Sequence, residues 1–182
     1  KPYVIPVGGS NVVGTTAYVR AMGELMHQLE EQQINIDVIV FATGSGGTQA
    51  GLVLGAEVYG FRGQVFGVSV SRPADDLRMQ VAALATATAT HLGLGTMSVM
   101  DKVQVNDDYL GEGYGIVGET EREGIHLLAH QEGLLMDPVY TGRAMGALID
   151  LIRWGAFTRS QSVLFWHTGG MPGLFAYGRE LS

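Results

Sequence analysis

The most constraining feature of the sequence is an apolar run that leads through a glycine-rich turn into a helical pattern. Residues 36–41 (IDVIVF) are rich in β-branched side chains, which is typical of a strand buried on both faces of a parallel sheet. Residues 43–47 break the run, and residues 48–59 then have the small side chains of a closely packed helix. This order predicts a strand–turn–helix unit.

The same alternation of short β-rich runs and longer helical patterns continues through the chain. Further strands are predicted at residues 3–7, 64–70 and 163–166, and the run 99–105 is ambiguous. Helices are predicted from a cap at Ser10 or Asn11 to about residue 32, and at residues 75–92, 119–132 and 140–154, with a short one at the C-terminus. This pattern predicts an α/β fold with a mostly parallel sheet flanked by helices, as one domain over residues 1–182.

Composition narrows the classes of protein and partner. Hydrophobic residues make up 46% and charged residues 16% of the 182, as in a compact globular domain. The formal net charge is -7 without a basic stripe, so no nucleic-acid partner is expected. There are no cysteines, and no apolar stretch is long enough for a bilayer span, so we expect no membrane association and a cytoplasmic protein.

The turn after the second predicted strand has the composition of a phosphate site. Glycines allow successive backbone N–H groups to converge on one point, and the following helix N-terminus adds partial positive charge. The hydroxyl groups of Ser45 and Thr48 add hydrogen-bond donors. The segment is not a Walker A loop, because no Lys-Ser or Lys-Thr follows the last glycine. The segment consists of Thr43, Gly44, Ser45, Gly46, Gly47 and Thr48. A purely structural strand–helix junction is the alternative.

Five segments of the sequence, in their order along the chain, resemble those of one enzyme family. They are residues 6–11 (PVGGSN), 42–51 (ATGSGGTQAG), 107–109 with 113–115 (DDY and GYG), 137–142 (DPVYTG) and 167–170 (HTGG). Together they resemble the D-cysteine desulfhydrase and aminocyclopropane-carboxylate deaminase family, whose members are pyridoxal-phosphate enzymes of the tryptophan-synthase-β type, fold type II. The resemblance covers the whole chain.

The resemblance implies a set of site residues and a cofactor, pyridoxal 5'-phosphate. The turn Thr43 to Thr48 would hold the cofactor phosphate. Tyr114 and Tyr140 match the two tyrosines on the substrate face of the cofactor, where a hydroxyl can bind a carboxylate or exchange a proton. Thr141 matches the position at the pyridine nitrogen, and Thr168, with Gly169, lies beside the ring. No metal ligand is expected.

The two threonines also bear on the substrate, which the resemblance implies is a small amino acid. In aminocyclopropane-carboxylate deaminases the positions of Thr141 and Thr168 hold glutamate and leucine, whereas D-cysteine desulfhydrases resemble this chain. The implied reaction is a β-elimination that converts D-cysteine to pyruvate, ammonia and hydrogen sulfide. Aminocyclopropane-carboxylate deamination and a sulfo-lyase reaction on cysteate remain alternatives.

The family's cofactor-binding lysine has no match among the two lysines, Lys1 and Lys102. In the family this lysine lies upstream of every segment matched here. The resemblance therefore implies that the sequence is the C-terminal portion of a longer two-domain enzyme, that the isolated chain lacks activity, and that the enzyme is a homodimer. A non-catalytic α/β module that binds a phosphate-bearing ligand is the hypothesis from another class.

Other polar residues favour structural interpretations. His126 and His130 are four apart on one predicted helix face, but no third metal ligand accompanies them. His167 follows an apolar run and is expected to be buried and hydrogen-bonded. Asp107 and Asp108 favour a turn over an acid–base pair.

Overall fold

A parallel sheet forms the centre of the protein, whose computed structural model describes residues 2–181. Its strands are β1 (Val38–Thr43), β2 (Gln64–Ser69), β3 (Gln104–Asn106) and β4 (Val163–Phe165). Their order across the sheet is β3-β2-β1-β4. Each neighbouring pair is parallel, with Val38 of β1 opposite both Gln64 and Val163. The predicted α/β fold is confirmed.

Within residues 2–181, one α-helix precedes the first strand and four lie in the connections between strands. They are α1 (Val12–Gln32), α2 (Gly47–Tyr59), α3 (Ala74–His91), α4 (Glu119–Glu132) and α5 (Thr141–Arg153). The described part of the chain also contains short 3-10 helices at Val7–Gly9, Met100–Lys102 and Met171–Tyr177. The predicted helix bounds differ from these by one or two residues at most, since caps and hydrophobic periodicity both mark where a helix starts and stops.

Alternating side chains of β1 face two separate cores. Ile39 and Phe41 pack with α1, α2 and α3 in one hydrophobic cluster. Val38 and Val40 pack with α4 and α5 in the other. Successive strand residues point to opposite faces, so a strand covered on both faces must be apolar throughout, as this one is. The result is a three-layer arrangement with the sheet between two groups of helices.

Local signals in the sequence explain where helices begin and how closely they pack. The Asn11 side chain accepts a hydrogen bond from the Gly14 N–H at 2.9 Å and caps α1, as predicted. At Gly51 of α2, a Cβ would lie 2.6 Å from the backbone oxygen of Thr15. Only glycine therefore permits this close approach of α2 to α1, which brings the N-terminus of α1 beside the turn that follows β1.

The strand predicted at residues 3–7 is wrong. This segment pairs with no strand of the sheet, and Val7 belongs to a 3-10 helix. Its apolar side chains are exposed, with Val4 at 82% and Val7 at 88%. Pro2 and Pro6 remove backbone donors, and an apolar run becomes a strand only where a neighbouring strand offers partners. The ambiguous run 99–105 resolves into a 3-10 turn and the first residues of β3.

None of the helices within residues 2–181 combines the length and the hydropathy that a membrane span requires.

Candidate active site

A pocket of about 640 Å³ lies beyond the carboxyl end of β1. Six stretches of chain that are distant in sequence line it: residues 7–8, 42–48 (without 47), 71–72, 114, 137 with 140, and 168–170. Ligands of parallel α/β sheets bind at this edge. A cavity of about 720 Å³ at the opposite edge contains none of the predicted site residues.

The glycine-rich turn forms one wall of this pocket. Thr43 is the last residue of β1 and is buried, while Gly46, with φ at 81°, caps the N-terminus of α2. A side chain at that φ would be strained, so the turn requires glycine. The first amides of α2, from Gly47 onward, have no carbonyl within the helix to bind. They form a ready-made anion site at the turn.

The N-terminal segment closes over the turn. The Ser10 hydroxyl donates to Ser45 Oγ at 2.7 Å. A Cβ on Gly47 would lie 2.6 Å from Ser10 Oγ, and one on Gly8 would lie 2.3 Å from Ser45 Oγ. Gly47 thus lies beneath Ser10 rather than in the pocket wall, and two segments of the family resemblance, residues 6–11 and 42–51, meet here.

Two side chains that sequence reasoning missed hold the carbonyl groups of the turn. Gln80 of α3 donates from Nε2 to the Ser45 carbonyl at 2.9 Å, and its Oε1 accepts from Arg72 Nη1. Arg72 Nη2 also lies 3.5 Å from the Gly44 carbonyl oxygen. Because these side chains bind the carbonyl groups of the turn, the N–H groups of the turn remain free for a ligand. Arg72 is the cationic side chain among the described residues that line the pocket.

Tyr114 and Tyr140 meet at the opposite wall. Their hydroxyl groups are hydrogen-bonded, and their rings pack edge to face with centroids 5.8 Å apart. Partial burial, the hydrogen bond with Tyr114 and the nearby Asp137 carboxylate raise the pKa of Tyr140 to about 12. Tyr140 therefore keeps its proton at neutral pH.

Asp137, also missed from the sequence, organises the turn before α5. Its carboxylate accepts hydrogen bonds from the backbone N–H groups of Val139 at 2.9 Å, Tyr140 at 2.8 Å and Thr141 at 2.8 Å. It also accepts one from the Thr141 hydroxyl at 2.8 Å. A carboxylate with this many donors at a helix N-terminus fixes the backbone from which Tyr140 projects.

Thr141 itself is fully buried and does not line the pocket. Its hydroxyl donates to Asp137 Oδ1 and accepts the Asp137 N–H at 2.9 Å, so both functions are already engaged. Its predicted role at the pyridine nitrogen stays a prediction. Thr168 and Gly169 do line the pocket.

The structure also places the histidines and the aspartate pair. His167 is exposed, not buried as predicted, and its Nδ1 accepts the Gly169 N–H at 3.0 Å. A strand end at the sheet edge has too little covering structure to bury it. The rings of His126 and His130 stack with centroids 5.9 Å apart, and residues 2–181 hold no group of three metal-ligating side chains. Asp107 accepts the Ala74 N–H at 2.7 Å and so caps α3.

Lys102 lies away from the pocket, just before β3 and therefore at the opposite edge of the sheet. Its ammonium pairs with Glu57, and this hydrogen bond raises the pKa of Lys102 above its usual value. A protonated amine is not a nucleophile, so Lys102 does not supply the missing lysine function. Lys1 lies outside the described residues.

Known proteins share both the sequence pattern and the fold. The family model of pyridoxal-phosphate dependent enzymes matches residues 1–169. The crystal structure of an ACC deaminase homologue is 38% identical, with a TM-score of 0.88, and the match covers 100% of this chain and 53% of that one.

Two further solved structures share the fold at low identity. A fungal L-serine ammonia-lyase from Rhizomucor miehei is 14% identical with a TM-score of 0.58, over 92% of this chain and 56% of its own. A hydrogen sulfide-producing enzyme from Fusobacterium nucleatum is 15% identical with a TM-score of 0.56, over 89% and 51%. The chain thus spans about half the length of the solved structures it matches. With its glycine-rich turn and its fold both matched, the chain belongs to the family of pyridoxal-phosphate dependent enzymes.

Proposed function

We propose that the site belongs to a lyase that eliminates the β-substituent of a sulfur-bearing amino acid, with D-cysteine as the representative substrate. The products would be pyruvate, ammonia and hydrogen sulfide. The observation that carries the proposal is that one pocket contains both a phosphate-type turn and a hydrogen-bonded tyrosine pair. The combination suits a phosphate-bearing cofactor on one side and an amino-acid substrate on the other.

The residues of the turn fit the phosphate of pyridoxal phosphate. Thr43 Oγ1 is buried and has no hydrogen-bond partner among the described residues, which is costly unless a ligand supplies one. The free amides at the start of α2 and the hydroxyls of Ser45 and Thr48 are further donors beside the pocket. When bound, the cofactor supplies an electron sink that stabilises negative charge at the α-carbon of the amino acid.

The tyrosine pair supplies a proton at a fixed place. One hydroxyl donates to the other, so the acceptor's own proton is free for a third group. Because the pKa of Tyr140 is about 12, Tyr140 keeps its proton at physiological pH. It can therefore donate a hydrogen bond to a substrate carboxylate, or a proton to a departing thiolate.

The neutral side chains near the ring position favour elimination of a good leaving group over ring opening of aminocyclopropane-carboxylate. Thr168 and Thr141 are both neutral. The Asp137 carboxylate beside Thr141 already accepts four hydrogen bonds from the turn before α5, so it is not a free anion for the pyridine nitrogen. A neutral partner favours a protonated pyridine less than an anion does, and a departing thiol needs less electron withdrawal.

A sulfo-lyase acting on cysteate is the second candidate, and Arg72 favours it. Its guanidinium is a cationic group in the pocket lining, and a sulfonate leaving group carries the complementary charge. The non-catalytic phosphate-binding module is the candidate from another class.

The test uses the full-length protein, with the upstream segment and cofactor-binding lysine that the resemblance implies, and measures cofactor binding first and turnover second. The purified full chain is titrated with pyridoxal phosphate and, as a matched control, with pyridoxal, which lacks the phosphate. Tighter binding of the phosphorylated form supports the turn as a phosphate site. The loaded protein is then given D-cysteine, L-cysteine, cysteate and aminocyclopropane-carboxylate, with sulfide, sulfite and ammonia measured.

Sulfide from D-cysteine supports the proposal, and sulfite from cysteate supports the second candidate. Ammonia from aminocyclopropane-carboxylate without sulfide from D-cysteine would contradict both. Phosphate-dependent binding without any turnover would favour the non-catalytic module. The homodimer that the resemblance implies and the cytoplasmic location that the lack of cysteines suggests stay predictions.

A further inference from the structure

Arg143 is the largest side chain in the fully buried part of the protein, although it is charged. It lies in the first turn of α5, two residues beyond Thr141, and is 1% exposed. Its partner Glu121, in the first turn of α4, is 4% exposed. Neither residue lines the pocket that contains the turn and the tyrosines.

The guanidinium of Arg143 donates to three backbone carbonyls besides Glu121. Nε donates to Glu121 Oε1, and Nη1 donates to the Val70 carbonyl at 3.2 Å, just past the end of β2. Nη2 donates to the carbonyls of Gly113 at 3.1 Å and Ile116 at 2.9 Å. A planar guanidinium can reach such spread-out acceptors together, whereas a single ammonium cannot.

The carbonyl groups of Gly113 and Ile116 lie on either side of Tyr114 in the sequence. The connection from β3 to α4 has no helix or strand of its own between residues 107 and 118, and Gly113 has a φ of 136°. Without an external tie, such a glycine-containing loop is free to move. Arg143 ties it on both sides of Tyr114.

Glu121 fixes the far end of the same loop. Its Oε2 accepts the Gly118 N–H at 2.8 Å, at the N-terminus of α4. One buried ion pair, Arg143 with Glu121, therefore holds both ends of the loop from Gly113 to Gly118 by hydrogen bonds. A buried pair of this kind is weak evidence for stability, because apolar residues often replace it at no cost. A role of the pair in fixing the position of the loop is therefore the better explanation for its burial.

We propose that Arg143 is a positioning residue of the active site, which holds the loop of Tyr114 so that its hydroxyl meets Tyr140. The proposal deepens the proposed function, because it rests on the tyrosine pair as the proton-donating wall of the site. Arg143 does not line the pocket that contains the turn and the tyrosines, and it acts on that pocket through Tyr114.

The test compares two double variants of the same chemistry on the same two helices. Arg143→Met with Glu121→Gln removes the buried charges together, and the glutamine keeps an oxygen for the Gly118 N–H. Arg153→Met with Glu123→Gln is the matched control, since this α5–α4 pair is exposed and bidentate, at 2.8 and 2.6 Å. Amide hydrogen exchange and ultraviolet titration of the tyrosines are measured in both.

The buried double variant is expected to speed exchange about tenfold or more in residues 111–117, while α4 and α5 stay protected. One tyrosine should then ionise at lower pH, because the Tyr114–Tyr140 hydrogen bond is broken. The control should show neither change. A folded buried double variant that matches the control in both measurements would overturn the proposal.

If the double variant does not fold, Arg143→Lys decides, because it keeps the charge opposite Glu121 but cannot span three carbonyls. Faster loop exchange in Arg143→Lys supports the proposal, and exchange like the wild type overturns it. These measurements need no cofactor and no substrate, so a protein that binds no pyridoxal phosphate would remove the proposed function and leave the result on Arg143 standing.

Turnover adds a readout that a merely structural role would not produce. Once sulfide release is established, Tyr114→Phe should cause no further loss of kcat in the buried double variant, because both changes disable the same hydroxyl. Independent, additive losses would show that Arg143 does not act through Tyr114.

Discussion

The hydroxyl groups of Tyr114 and Tyr140 are hydrogen-bonded to each other, although the residues lie 26 apart in the sequence. One tyrosine comes from the loop after β3 and the other from the turn before α5. The two loops therefore build one wall of the pocket only because both return to the same edge of the sheet. Asp137 fixes the backbone of one, and Arg143 ties down the other.

Removing either hydroxyl should impair turnover more than binding. We expect Tyr140→Phe and Tyr114→Phe each to lower kcat for sulfide release by about 100-fold or more, the usual scale for loss of a positioned proton donor. Tyr59→Phe, at the far end of α2, is the matched control and should leave kcat unchanged. Steady-state kinetics with D-cysteine checks this, and an equal loss in all three variants would contradict it.

Two tyrosines should titrate at unusually high pH. Burial and the hydrogen bond to Asp150 raise the pKa of Tyr109 to about 12, and burial with the Tyr114 hydrogen bond raises the pKa of Tyr140 to about 12. Both tyrosines have an ordinary value of 10.0 in the unfolded chain. The folded state thus holds these protons where the unfolded state loses them, so the stability they contribute is complete below pH 10 and is lost as the pH rises towards 12.

The measurement is urea denaturation across that interval, with tyrosinate absorbance followed in parallel. Tyr140→Phe should lessen the decline in unfolding free energy as the pH rises. A decline of the same size in Tyr140→Phe would assign the effect to other groups.

The two glycines that cap α2 give a matched test of the phosphate turn. Gly46 has a φ of 81° and Gly60 has a φ of 75°, so alanine at either should cost about 1–2 kcal/mol of unfolding free energy. At Gly60 a Cβ meets nothing within 4 Å, whereas at Gly46 it would lie 3.1 Å from Val81 Cγ2. Gly46→Ala should therefore weaken pyridoxal-phosphate binding, and Gly60→Ala should not. Fluorescence titration distinguishes them, and equal affinities in the two variants would mean that the turn is structural only.

Two buried threonines test whether the turn accepts a phosphate. Thr43 Oγ1 and Thr15 Oγ1 both lack a partner among the described residues, but only Thr43 lines the pocket. Valine at either position removes an unpaired hydroxyl, so stability should stay equal or rise. Thr43→Val should also weaken pyridoxal-phosphate binding about tenfold, by the loss of one hydrogen bond to a charged group. Pyridoxal should bind Thr43→Val as it binds the wild type. A loss of affinity for both ligands would mean that the hydroxyl does not contact the phosphate.

Much of the fold was predictable because its signals are local. The apolar run of β1, the cap at Asn11 (one of two candidates) and the extent of α4 are each visible within a few residues, and the structure has them where the sequence predicts them. The strand predicted at residues 3–7 failed for the opposite reason. A strand needs a partner, and partners are chosen by tertiary structure.

The sequence by itself determined the α/β alternation, the glycine-rich turn at the end of a buried strand, and the family, because turn chemistry and hydrophobic periodicity are written in neighbouring residues. Only the tertiary structure decided that Arg72 and Gln80 hold the turn, that Thr141 is engaged with Asp137, and that His167 is exposed. It also decided the burial of Arg143 against Glu121. These relationships depend on which elements the sheet brings together, and a side chain's partners across such distances leave no periodic trace in the sequence.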